Sequence, residues 1–174
     1  GKSIPHGKII IRKEDFRIKR YQERTQTLTM FIVDASGSSA MHRLAEAKGA
    51  VELLLAECYV RRDQVAVMSF RGSTAELVLA PTRSLVRAKR ALSGLPGGGG
   101  TPLSRAIDES FEIASASMRK GLMPALVFLT DGRANIAKDG SPGRPKAMAD
   151  AQQSARSASL RSFKSCLLYT SDAA

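Results

Sequence analysis

Leu28-Thr29-Met30-Phe31-Ile32-Val33-Asp34-Ala35-Ser36-Gly37-Ser38 is a mostly apolar run that stops abruptly at a carboxylate and two hydroxyls. A short apolar run bounded by polar residues is the pattern of a central strand covered on both faces. Asp34 follows that strand directly. Ser36 and Ser38 are alternate residues on a turn that Gly37 keeps small, so one carboxylate and two hydroxyls are expected to converge at the strand's end.

Working outward, helical and extended patterns alternate. From Arg43 to Tyr59 the residues Leu44, Ala47, Val51, Leu54, Leu55 and Cys58 recur at spacings of three and four, which predicts an amphipathic helix. Gln64 to Phe70 and Ala75 to Leu79 read as strands joined by a Gly72-Ser73 turn, so one edge strand is expected to run antiparallel. Leu85 to Leu95 predicts a basic helix, Leu103 to Met118 a second with Ala106, Ile107, Ser110, Phe111 and Ala114 inward, Ala125 to Thr130 a buried strand, and Pro145 to Leu160 a last helix. Alternation of this kind predicts a doubly wound, mostly parallel α/β sheet with helices on both faces.

After Leu160 the pattern breaks, and Ser165-Cys166-Leu167-Leu168-Tyr169-Thr170-Ser171-Asp172-Ala173-Ala174 stands where an apolar strand is expected. That tail resembles translated adaptor or vector sequence, which implies a natural domain cut short near Arg161. The expected organisation is a basic arm over residues 1–24, one domain over 25–161, and an atypical, non-native tail over 162–174.

Composition narrows the function classes. With 174 residues and 43% hydrophobic content, the chain suits one soluble globular domain. Its longest apolar runs fall far short of the roughly 20 residues of a membrane-spanning helix. Cys58 and Cys166 make no metal or disulfide spacing. No secretory signal is visible, so the cytoplasm is the expected compartment. The net charge of +11 is concentrated in part in residues 1–24, where eight Lys or Arg face Glu14, Asp15 and Glu23. Without a nucleic-acid motif, that arm reads as a solvated linker or a surface for an acidic protein partner.

Two further clusters join the one at Asp34. Thr101 follows the run Gly97 to Gly100, which is expected to give its loop conformational freedom, and Pro102 is placed to open the next helix. Thr130-Asp131-Gly132 ends the strand at 125–130. In a parallel sheet all three clusters fall on one edge, where Asp34, Ser36, Ser38, Thr101 and Asp131 supply only hard oxygens. Such a set suits Mg2+, which prefers six oxygens and keeps several waters. Two carboxylates leave the ion electrophilic enough to take an acidic side chain from a partner. Hydrolysis would need a positioned acid and base besides. Other readings stay open: Ser36, Ser38 or Thr101 as helix caps and Asp131 as a turn residue. His42 reads as a surface or capping residue. Arg71 and Arg133, near strand ends close to the expected cation, read either as forks for a partner carboxylate or as ordinary surface ion pairs.

Asp34-x-Ser36-x-Ser38 with Thr101 and Asp131 resembles the metal-ion-dependent adhesion site of von Willebrand factor A and integrin I domains. The surrounding words are narrower: Phe31 to Ser38, Ala47-Lys48-Gly49-Ala50-Val51, Phe70-Arg71-Gly72, Pro81-Thr82-Arg83-Ser84, Leu95 to Pro102 and Leu129 to Asn135 are similar to the C-terminal domain of the magnesium chelatase D-subunit family, over about residues 9–160. The resemblance implies a noncatalytic, Mg2+-dependent interaction module of an ATP-driven complex that inserts magnesium into protoporphyrin IX for chlorophyll or bacteriochlorophyll synthesis. Its implied partners are the AAA+ ring of the I subunit and the porphyrin-binding H subunit, in the cytoplasm or, in a plant or alga, the plastid. A cobalt-chelatase counterpart is the neighbouring alternative. A haloacid-dehalogenase-type phosphatase is the enzymatic one, but it requires an Asp where Ser36 stands.

Overall fold

The structure is a computed structural model and describes residues 25–37, 48–159 and 164–169. The basic arm, Ser38 and His42 lie outside the described residues. Strand β1 (Thr27–Asp34) is followed by α1 (Lys48–Arg61), β2 (Gln64–Arg71), β3 (Thr74–Thr82), α2 (Leu85–Ser93), α3 (Leu103–Arg119), β4 (Met123–Thr130), α4 (Arg144–Ser159) and β5 (Lys164–Tyr169). The sheet order is β3-β2-β1-β4-β5. The β2–β3 pair is antiparallel, as expected, and the other pairs are parallel.

β1 sits at the centre, with Phe31 opposite Val67 of β2 and Val127 of β4. Its side chains divide between two cores, which is why the run carries no polar alternation. Leu28, Met30 and Ile32 join Ala106, Ile107 and Ala114 of α3 and Ala147, Ala151 and Ala158 of α4. Phe31 and Val33 join Val51, Leu55 and Cys58 of α1 and Ala88 and Leu92 of α2. The Cys58 thiol donates to Thr29 Oγ1 at 3.3 Å, and burial pushes its pKa up, so this cysteine is a core residue with little thiolate character.

Local signals explain most boundaries. Ser84 caps α2 by accepting the Arg87 N–H at 3.4 Å, and the Gly94 N–H closes the other end on Arg90 O. Replacing Ser84 by Ala is expected to cost about 1 kcal/mol, visible as a lower urea midpoint with an unchanged slope. The β2–β3 hairpin turns at Gly72, whose φ is +61°. Asp63 ties the start of β1 to the start of β2 by accepting the Thr27 N–H at 3.0 Å.

Two expectations need correction. α1 is less amphipathic than its periodicity suggests: Val51, Leu55 and Cys58 are buried, yet Leu53, Tyr59 and Val60 face outward. The chain after α4 also does not lack a strand, because residues 164–169 pair in parallel with β4, Ala125 opposite Lys164 and Thr130 opposite Tyr169. Strand pairing uses backbone groups, so the open edge of β4 accepts any short segment of adequate β propensity, and Cys166-Leu167-Leu168-Tyr169 supplies one.

Candidate metal centre

The polar cluster lies at the carboxyl ends of the parallel strands, the side of an open α/β sheet where ligands bind. Asp34 is the last residue of β1 and only 2% exposed. The chain then runs one residue further beside β2, with the Ala35 N–H on Phe70 O at 3.1 Å, and turns. That turn brings Ser36 back: its N–H and its Oγ donate to Asp34 Oδ1 at 2.9 and 2.5 Å. Thr101 Oγ1 donates to Ser36 Oγ at 2.7 Å across 65 residues of sequence. On the other side Thr130 Oγ1 donates to Asp34 Oδ2 at 3.0 Å and accepts the Gly132 N–H at 3.1 Å.

The sequence-derived residues therefore divide. Asp34, Ser36 and Thr101 meet directly, and all three are buried. Asp131 follows Thr130 at the end of β4, half exposed, and its Oδ1 accepts the Arg133 N–H at 2.9 Å, the turn role that the sequence left open. Arg133 and Arg71 are exposed, and Arg71 lines a shallow polar depression with Ser69, Ser73, Thr74, Glu76 and Pro96. Pro102, not Thr101, occupies the cap position of α3, and no side chain caps that helix. The Thr101 hydroxyl is thus committed to the cluster.

The sequence placed Thr130 in the third cluster but gave it no role of its own. Leu129 pairs with Val33, so Thr130 falls beside Asp34 only once the β1–β4 register is known. The glycine run uses the conformational freedom expected of it, with φ of +117° at Gly98 and +88° at Gly99, and has a second part besides. The Gly98 N–H bonds Ala35 O at 2.9 Å. A Cβ on Gly99 would lie 2.9 Å from Gly72 N, and one on Gly100 would lie 3.0 Å from Gly72 O and collide with the Ile136 side chain. Gly99 and Gly100 thus also permit close backbone approach between loops, whereas nothing lies within 4 Å of a Cβ on Gly98.

The donor set fits a hard cation. One carboxylate and the hydroxyls of Ser36, Thr101 and Thr130 gather in a buried cluster, and every donor is oxygen. These four side chains offer none of the nitrogen or sulfur donors that zinc or copper favour, and among the described residues no group of three or more His, Cys, Asp or Glu gathers. Few charged ligands and many neutral oxygens suit Mg2+ with retained waters.

The fold and this cluster define a class. Residues 29–133 match the family model for the von Willebrand factor type A domain, and the chain belongs to that family. The pilus adhesin SpaC from Lactobacillus rhamnosus GG shares the fold, with a TM-score of 0.65 at 15% identity over 84% of this chain and 24% of the adhesin. Within the class, the chain is 54% identical over 153 residues to the magnesium-chelatase 60 kDa subunit of Cereibacter sphaeroides, covering 88% of this chain and 27% of that protein. It is 48% identical over 136 residues to the magnesium-chelatase 67 kDa subunit of Chlorobaculum parvum, covering 78% of this chain and 22% of that protein. The chain thus spans about a quarter of the length of the curated relatives it matches. Among the described residues no helix is long and apolar enough to cross a membrane.

Proposed function

We propose that residues 25–161 form the Mg2+-dependent protein-interaction domain of a magnesium chelatase D-type subunit. In this reading it helps couple the AAA+ I subunit to magnesium insertion into protoporphyrin IX by the H subunit. The observation that carries the reading is the buried oxygen cluster of Asp34, Ser36, Thr101 and Thr130 in a chain 54% identical to a magnesium-chelatase subunit. Asp34, Ser36, Ser38 and Thr101 would hold the cation, with Asp131 acting directly or through water. A bound Mg2+ supplies a Lewis-acidic position for a partner's carboxylate, and Arg71 and Arg133, both exposed, would flank it with forked hydrogen bonds.

Asp34 takes hydrogen bonds from Ser36 and Thr130, and Ser36 occupies the position where a phosphatase of the aspartate-nucleophile type needs its second Asp. Recognition is therefore the role the site suits. Because the AAA+ subunit needs Mg2+ for its own ATP, chelators are a poor test, and the comparison belongs in saturating Mg2+. Ser36→Ala is expected to lower the retention of this chain by immobilised I subunit at least tenfold, read by pull-down. Equal retention of wild type and variant would reject the cation as the recognition device.

A further inference from the structure

Thr101 is gripped by one neighbour on both sides of its residue. Its N–H donates to Asn135 Oδ1 at 2.6 Å. Its carbonyl accepts the N–H groups of Asn135 and Ile136 at 3.3 and 3.4 Å. The adjoining residues offer no side-chain or main-chain donor of their own on the α3 side, because Gly100 has no side chain and Pro102 has no N–H, although Gly100 packs closely against Gly72 and Ile136. The amide of Thr101 is thus the last main-chain donor before α3 by which this loop can be fixed.

Asn135 is itself anchored. Its carbonyl accepts the Gly143 N–H at 2.9 Å, and the loop between them is folded by an Ile136–Pro142 bridge and an Ala137 N–H bond to Ser141 O at 2.9 Å. Asp139, at the loop's tip, bonds the Ser141 hydroxyl at 2.6 Å and the Lys146 ammonium on α4. The Lys146 ammonium and the Ser141 donors hold the Asp139 carboxyl well below the usual carboxylate range. Asn135 is exposed, so it buries little that a core would value. What it contributes is an acceptor aimed at Thr101.

We propose that Asn135 is a positioning residue of the metal centre, holding the Thr101 backbone so that Oγ1 stays against Ser36. The inference rests on the cation reading above, and the experiment separates the two. The 174-residue chain is titrated with Mn2+ by calorimetry, as wild type, Asn135→Ala, Asn135→Asp, Thr101→Ala and the double variant, with melting temperatures taken in EDTA.

Wild type is expected to bind. Asn135→Ala should weaken binding about fivefold or more, Asn135→Asp, which keeps an oxygen acceptor, should stay within about threefold, and Asn135→Ala should change nothing once Thr101 is already Ala. If Asn135→Ala lowers the melting temperature but leaves affinity unchanged, the residue is merely structural and the proposal is overturned. It is overturned equally if the effect of Asn135→Ala persists undiminished in the Thr101→Ala background. If Asn135→Ala does not fold, Asn135→Gln replaces it, with a fivefold loss supporting the proposal and none overturning it. Absence of Mn2+ binding by wild type would instead remove the cation reading, and this inference with it.

Discussion

Asp34→Ala is expected to eliminate Mn2+ and Mg2+ binding by the chain, the largest functional effect of any single substitution. Asp34 is the one carboxylate inside the buried cluster, and both of its oxygens are engaged: Oδ1 by the Ser36 N–H and hydroxyl, Oδ2 by the Thr130 hydroxyl. Without it the donors left inside the cluster are neutral hydroxyls, and the half-exposed Asp131 alone cannot offset the cost of stripping water from a divalent ion. The substitution also acts on the metal-free fold. Three buried donors lose their acceptor, and each is worth about 0.5–1.5 kcal/mol, with a larger cost when the group is left unsatisfied. Two measurements separate these effects: the melting temperature in EDTA should fall modestly, while the further rise on adding Mg2+, about 2.7 kcal/mol at a hundredfold excess over Kd, should vanish entirely. A variant that still gains stability from Mg2+ would place the cation elsewhere.

Gly99→Ala is expected to be the most damaging small change in the loops. Gly99 has φ +88°, and its Cβ would meet Gly72 N at 2.9 Å and Gly72 Cα at 3.0 Å. Both obstacles are backbone, so no side chain can rotate away. Gly140→Ala is the matched control, because φ there is +86° and nothing lies within 4 Å of the added carbon. Left-handed strain alone should cost the control about 1–2 kcal/mol. Gly99→Ala should cost about 2–4 kcal/mol, the excess coming from separation of the glycine loop and the β2–β3 turn. Because Thr101 lies two residues on, Mn2+ affinity should fall with it, whereas Gly140→Ala should retain it. Equal losses of stability in urea for the two variants would mean that the close approach carries no energy.

What was readable in advance follows from the range of the forces involved. β1 announced itself because a strand buried on both faces needs apolar residues at every position, and Leu28 to Val33 nearly satisfies that demand. The Gly72 hairpin was legible for a similar reason, since it depends on residues only a few positions apart. Thr101 and Ser36 were expected to meet because their positions at loop ends of a parallel sheet share one edge, and they do, at 2.7 Å. Thr130 and Asn135 were not, since the first needs strand register and the second a specific fold of the connection between β4 and α4. The glycine run was legible only in part: its composition pointed to conformational freedom, which Gly98 and Gly99 use, but not to the close approach to Gly72 that Gly99 and Gly100 allow. β5 shows the limit of reading side chains where main-chain pairing decides.

The cluster also has an order in time. Its oxygens come from positions 34, 36, 101 and 130, so a ribosome that has released β1 to β3 has released only half of the site. The full set of oxygens gathers only once β4 has been translated and has slotted beside β1. On the cation reading, a filled centre would report that β1 and β4 have paired, and a nascent or clipped chain lacking β4 would have no complete site to offer.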